Sequence, residues 1–301
     1  MKIVFLGNHT VGVYTLKALL DCSNVELIGV IAHPIDDEDG NVYESVYDFS
    51  ILNNLNVIRS NGNSSLTFNF INQLRPDLIW ITDFRYIIPE SVIQLSLFGA
   101  VNIHPSLLPK YRGRAAINWA LINGEPEFGL TVHFVDNGVD TGDIIRQISI
   151  PIYETDYIED LLNRSYPLYY SITYEVINMF LSNSINRVPQ KELYPVFPKR
   201  TASDGRINWD FGKKQILNLI KAVSKPYPGA FTFINDCKLY VWKADIVNDQ
   251  LIDDVPNGSI VSNCSTDQFI KIKCSDGYIK VVESEFDGVN QFKINLGDRC
   301  T

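Results

Sequence analysis

An α/β domain built on a mainly parallel sheet, followed by a small antiparallel β-barrel, is the fold this sequence predicts. Through residue 181, short apolar runs of strand length alternate with stretches of helical periodicity, the pattern of strands joined by crossover helices. After a proline-bearing polar stretch at 182–205, the chain changes to short alternating strands broken by Asn-Asp and Ser-Asp-Gly turns. The length of 301 residues accommodates both parts, with the division expected at 1–200 and 201–301.

The elements follow in order. Residues 2–6 form a short buried strand closed by Gly7, and 11–20 carry a helical stripe of apolar positions. Strands are predicted at 25–32, 78–82 and 100–103, with helices at 66–74, 91–95 and 115–122, the last followed by Gly124 where a helix end favours glycine. Residues 130–135 and 144–150 alternate as strands. A long helical pattern covers 158–181 and is disturbed by Pro167. In the second part, 213–223 is an amphipathic helix, and 230–234, 238–242, 259–261, 269–274 and 278–282 read as strands.

Composition removes several function classes. Thirty-five acidic against 26 basic residues leave a net charge of −9, which argues against a protein whose affinity comes from neutralising phosphates, so no nucleic-acid partner is expected. The five cysteines (22, 237, 264, 274 and 300) contain no C-x-x-C pair and read as free thiols of a cytoplasmic protein. Neither they nor the four histidines have metal-ligand spacing, so no metal is expected. No apolar run approaches the length of a membrane span.

The glycine loop Gly7-Asn8-His9-Thr10-Val11-Gly12 has neither dinucleotide nor P-loop spacing and reads as a strand-to-helix turn. Asn8, His9 and Thr10 nevertheless stand at a strand's carboxyl end, the edge where open α/β sheets bind ligands. Two further segments carry chemistry. Asn102 and His104 are two apart and share one side of an extended strand, and Pro105 keeps His104 extended. Downstream, a glycine turn holds Asp136, Asp140 and Asp143 without the ligand pattern of a hard-metal loop. Asx-turn capping accounts for such aspartates, or one of them reaches the imidazole of the other loop.

These residues resemble the formyltransferases that use N10-formyltetrahydrofolate. The resemblance rests on His104-Pro-Ser-Leu-Leu-Pro-Lys-Tyr-Arg-Gly113, on Asn102 two positions earlier, and on Val139-Asp-Thr-Gly142. It covers the chain to about residue 181. Phe197-Pro-Lys-Arg-Thr-Ala-Ser-Asp-Gly-Arg-Ile-Asn-Trp209 and Pro226-Tyr-Pro-Gly-Ala-Phe231 resemble the C-terminal domain of the tRNA and sugar branches. The resemblance implies a Rossmann-like catalytic domain and an OB-like barrel, assembled as a homodimer. The family's catalytic Asn, His and Asp fall on Asn102, His104 and Asp140. It implies that Asn102 donates to the oxygen of the transferred formyl group, that His104 takes the proton of the attacking amine, and that Asp140 holds the imidazole. It also implies a folate slot between the loop carrying Phe84, Arg85, Tyr86, Ile87 and Ile88 and the turn carrying Val135, Asp136 and Val139. His133 reads as a structural residue of its strand.

The acceptor amine is read from charge. Residues 34–50 contain Asp36, Asp37, Glu38, Asp39, Glu44 and Asp48 and no lysine or arginine, where the tRNA branch carries a basic insertion. That favours a nucleotide-linked amino sugar, by analogy a thymidine diphosphate 4-amino-4,6-dideoxy sugar used in lipopolysaccharide or O-antigen synthesis. Lys110, Arg112 and Arg114 can meet its diphosphate, beside Asn8, His9 and Thr10. Methionyl-tRNA and a non-catalytic binding role are the alternatives.

Overall fold

The computed structural model describes residues 1–35, 43–192, 194–247, 249, 254–262, 269–288 and 294–301. Asp36, Asp37, Glu38 and Asp39 of the acidic loop, and Cys264, lie outside them. The chain folds into two compact units. The first comprises Met1–Ala116, Phe128–Ile150 and Leu162–Phe197, and the second Ile117–Glu127, Pro151–Leu161 and Pro198–Thr301.

Among the described residues the first unit holds a seven-stranded sheet in the order β3-β2-β1-β4-β5-β6-β7. Its strands are β1 (Lys2–Gly7), β2 (Glu26–Ala32), β3 (Val57–Arg59), β4 (Leu78–Thr82), β5 (Ala100–His104), β6 (Glu127–Phe134) and β7 (Ile144–Pro151). The pairs β2–β3, β1–β2, β1–β4 and β4–β5 are parallel. β6 runs antiparallel to β5. Helices α1 (His9–Asp21), α2 (Val46–Leu52), α3 (Ser65–Leu74) and α4 (Glu90–Ile93) connect the parallel strands. A sheet covered on both faces needs strands that are apolar throughout, and β4 (Leu-Ile-Trp-Ile-Thr) is buried at every position. Val4, Leu6, Ile31, Ile71, Ile79 and Ile81 form one core cluster.

Several elements differ from the sequence expectation. α2 and β3 are absent from it, because each is too short to establish a period. The long helix α6 (Ile158–Leu181) continues through Pro167 without interruption. In the second unit, the strands at 237–247 and 277–286 run longer than their alternation suggests.

That unit carries α5 (Ala116–Ile122), counted from Ile117, α7 (Lys213–Val223) and, among the described residues, a five-stranded antiparallel sheet. The sheet order is β10-β11-β12-β9-β8, from β8 (Ala230–Ile234), β9 (Cys237–Val247), β10 (Ile260–Ser262), β11 (Ile270–Cys274) and β12 (Gly277–Phe286). The two edge strands are tied by residues 298–301. Thr301 exchanges backbone hydrogen bonds with Phe233 on β8, while Cys300 donates to Gly258 and Ile260 donates to Asp298 beside β10. Unpaired sheet edges are thereby covered, as a small barrel requires.

One fixture of the first unit positions the chemistry described below. Thr131, fully buried on β6, donates through its hydroxyl to Ser106 O at 2.6 Å and accepts from Leu108 N at 3.2 Å. Gln147 on β7 donates to Thr131 Oγ1 and to Leu108 O. The loop leaving β5 is thus fastened to the two neighbouring strands. Thr131→Val keeps the shape and deletes the hydroxyl, stranding buried polar groups. It should cost ~1–3 kcal/mol in urea unfolding, and an unchanged unfolding midpoint would show that the loop is held by something else.

Candidate active site

The parallel strands end at one edge of the sheet, and β5 brings Asn102 and His104 to it. β6 pairs with β5 so that Asn102 faces His133 and His104 faces Thr131. Opposed residues in a strand pair share a face of the sheet. Two predicted site residues and an unpredicted histidine therefore stand together, while Val101, Ile103, Val132 and Phe134 point to the other face.

His104 is only 4% exposed. Its Nε2 lies 2.8 Å from Tyr111 O. A carbonyl only accepts, so Nε2 carries the hydrogen and the lone pair of the neutral ring is on Nδ1. Nδ1 faces Asp140 Oδ2 at 3.5 Å. In this tautomer neither atom carries a hydrogen, so the contact becomes an ion pair only when Nδ1 takes up a proton. A proton taken up at Nδ1 would lie between the ring and this carboxylate. Tyr111 has φ 57°, a left-handed conformation unusual for a side chain of this size, and its carbonyl is the one the imidazole uses.

Asp140 enters from the turn after β6, also left-handed at φ 52°. Oδ2 accepts Gly113 N–H at 2.9 Å, and Oδ1 lies 3.6 Å from His133 Nε2. Burial alone would raise the pKa of this carboxyl. A proton taken up on the facing nitrogen of His104, and then of His133, together with the Gly113 N–H, outweighs burial and holds it well below the ordinary carboxylate range. The turn is fixed from several sides. Gln190 Nε2 donates to Asp140 O and Gly142 O, and Asp136 Oδ1 accepts from Gly138 N–H and Thr141 Oγ1. Asp136 thus caps its own turn. A Cβ on Gly142 would lie 1.9 Å from Phe134 O, so the Asp-Thr-Gly sequence needs glycine there for close approach.

The two loops read as a folate slot come together. Phe84, Ile88 and Val135 join one apolar cluster with Val92, Ile93 and Ala100, and Asn137 Nδ2 donates to Glu90 across the two loops. The side chains of Phe84, Ile88 and Val135 thus meet in one apolar cluster between the two loops. Phe84 and Tyr86 pack around the ring of His33, whose Nε2 accepts Arg85 N–H at 3.0 Å. Ile87 is 82% exposed, and Val139 is also exposed. His33 stands alone in the sequence after an apolar strand, and nothing there signals its hold on this loop.

The residues read as acceptor-binding divide. Asn8, His9 and Thr10 stand at the carboxyl end of β1, two strands or about 10 Å from β5. His9 Nδ1 lies 2.6 Å from Asp83 Oδ2, and Thr10 Oγ1 accepts from Glu44 N. Lys110 and Arg114 are exposed, and Arg114 Nη2 reaches Arg85 O. Arg112 turns inward instead. It is 7% exposed, donates to Tyr194 O through Nε and Nη2, and donates to Val139 O through Nη1. The structure therefore gives it a holding task at the Asp140 turn.

Among the described residues no helix is long and apolar enough to cross a membrane, and no cluster of three His, Cys, Asp or Glu side chains is placed to hold a metal ion.

Residues 1–177 match the family model described as formyl transferase, and residues 199–295 match that of the formyl transferase C-terminal domain. The chain is 31% identical over 98% of its length to the methionyl-tRNA formyltransferase of Caldanaerobacter subterraneus subsp. tengcongensis, covering 95% of that protein. It is 34% identical over 82% of its length to the bifunctional polymyxin resistance protein ArnA of Wigglesworthia glossinidia brevipalpis, of which it spans only 38%. Its fold is similar to the crystal structure of an N-formyltransferase from Helicobacter canadensis in complex with folinic acid and dTDP-3-aminofucose. That likeness has a TM-score of 0.73 at 21% identity and covers 95% of this chain and 100% of the other.

The charge held on Asp140 has a measurable signature. In the unfolded chain an aspartate titrates at about 4, and in the folded chain this one titrates well below that. Its contribution to stability is therefore complete above about pH 4 and is lost progressively as the pH falls below it. In urea unfolding from pH 7 to pH 2, the native chain should lose stability relative to Asp140→Asn as acid is added. A difference that does not change with pH would show that the folded carboxylate is not held charged.

Proposed function

The chain belongs to the formyl transferase family, and on that premise we propose that it moves the formyl group of N10-formyltetrahydrofolate to the amine of a nucleoside-diphosphate-linked amino-dideoxy sugar. The observation that carries the proposal is the gathering of Asn102, His104 and Asp140 on one face at the sheet's carboxyl edge, beside the apolar cluster between the two loops.

The folate supplies the activated formyl group; the rest falls to this chain. Asn102 donates an amide N–H to the formyl oxygen, where negative charge develops as the amine attacks. His104 takes the amine's proton at Nδ1, where Asp140 faces it, and can return it to the departing nitrogen. Asp140 remains a carboxylate throughout, because its pKa is held low. Phe84, Ile88 and Val135 line the ring site. Lys110 and Arg114, exposed beyond His104, serve the diphosphate, with Asn8, His9 and Thr10 at the end of β1, two strands away.

Support for a sugar acceptor comes from the acidic residues of segment 34–50 and from the fold likeness to a protein that holds dTDP-3-aminofucose. Thymidine diphosphate and a 4-amino group remain the first choice. A second reading, methionyl-tRNA as acceptor, is favoured by the 31% identity to a methionyl-tRNA formyltransferase over nearly the whole chain.

A panel of 3-amino and 4-amino sugars on thymidine and uridine diphosphate, run beside initiator methionyl-tRNA with the folate donor, decides between them. The sugar reading expects turnover on at least one sugar nucleotide, and activity confined to the tRNA ends it. On the accepted substrate, His104→Ala should lower kcat by ~10²–10⁴-fold, and Asn102→Ala by ~10²–10³-fold. Sugar-nucleotide affinity and melting temperature should change little. His104→Ala protein that turns over near the native rate would refute the mechanism.

A further inference from the structure

We propose that His133 is a positioning residue that sets which way round the Asn102 amide is presented to the reacting oxygen. The inference rests on the reading of Asn102 as the donor to that oxygen.

His133 is 2% exposed and sits on β6 directly opposite Asn102. Its Nδ1 lies 2.8 Å from Phe134 O, an atom that can only accept, so Nδ1 carries the hydrogen. The neutral ring then has its lone pair on Nε2. That nitrogen lies 3.3 Å from Asn102 Nδ2 and accepts from the amide.

A primary amide has nearly the same shape in its two flips, so sterics alone choose poorly between them. Hydrogen bonding chooses. With Nδ2 toward His133, one amide hydrogen is engaged and the second remains available for the substrate oxygen. In the other flip Asn102 Oδ1 would face the Nε2 lone pair, acceptor against acceptor. The carbonyl of Phe134 therefore fixes the tautomer of His133, and the tautomer fixes Asn102. Buried hydrogen-bonded chains of this kind orient the final group more tightly than any single contact. Asp140 Oδ1, 3.6 Å from Nε2, is the other group facing this nitrogen. A proton on Nε2 would turn the ring into a donor toward Asp140 and release Asn102.

The test makes His133→Leu and His133→Gln, each with native Asn102 and with Asn102→Ala. Leucine removes the acceptor, while the glutamine carbonyl reaches the place of Nε2. His133→Leu should lower kcat ~10-fold, as expected for one misoriented charge-stabilising hydrogen bond, with KM for both substrates nearly unchanged. His133→Gln should recover much of that loss. In the Asn102→Ala background His133→Leu should cost less than ~2-fold, because the histidine acts only through the amide. Losses that add in the double variant would overturn the proposal.

Nitrogen-15 spectra of the protein without substrates give an independent reading. They should show His133 protonated on Nδ1 and bare on Nε2, with the Nε2 resonance moving in Asn102→Ala. A proton found on Nε2 in the native protein overturns the inference even if no acceptor is ever turned over. Absence of formyl transfer by the native chain overturns the proposed function and leaves this spectroscopic arm to decide the placement of Asn102.

Discussion

Asp140 carries a negative charge into a space largely closed to water, and most of the surrounding construction keeps it there. An isolated carboxylate in such a place would neutralise itself by taking up a proton. A backbone N–H and two imidazoles able to take a proton on the nitrogen facing it prevent that, one from each of three segments: the loop through Gly113, β5 with His104, and β6 with His133. The charge in turn explains supports that would otherwise look unrelated. Arg112 and Gln190 hold the turn by its carbonyls, and Tyr111 accepts a left-handed backbone so that its oxygen can meet the far side of His104. Conformational strain of this sort persists only where neighbouring contacts over-determine it.

The loops that hold this charge are also the ones to which the proposed function assigns binding. Gly113 touches Asp140 and lies next to exposed Arg114, while Val139, held by Arg112, belongs to the turn that forms one side of the proposed folate slot. Nothing in the geometry separates a catalytic layer from a binding layer. On the proposed reading the same few turns serve both, which favours catalysis through orientation of two bound substrates.

Much of this is legible in the chain itself. Period-two spacing by itself places Asn102 and His104 on one face, and the apolar runs locate the strands of the parallel sheet. Proline and glycine spacing marks the loops around His104 and Asp140. The features that are not legible have a common cause. His133 looks like one polar residue in the alternating run Thr-Val-His-Phe-Val, and only the antiparallel pairing of β6 with β5 sets it against Asn102. Arg112 is a cation in a charged turn until the fold supplies the Tyr194 carbonyl, 82 residues away, that draws it inward. α2 and β3 are too short for their own sequences to establish a period against tertiary context. Pro167 lies inside a helix whose neighbouring turns outweigh its propensity.

The facing of Asn102 and His133 has a consequence for descent. Side chains on a strand alternate, so one residue gained or lost within β5 or β6 would turn every later side chain of that strand to the opposite face. A change ahead of these residues would turn Asn102 and His104 together away from His133, or His133 away from both, in a single event. Insertions and deletions can therefore accumulate in connections remote from these two strands, but not inside them. A lineage that acquires a new acceptor must do so by altering what surrounds the reacting groups, inheriting the eight-residue β6 and five-residue β5 at fixed length.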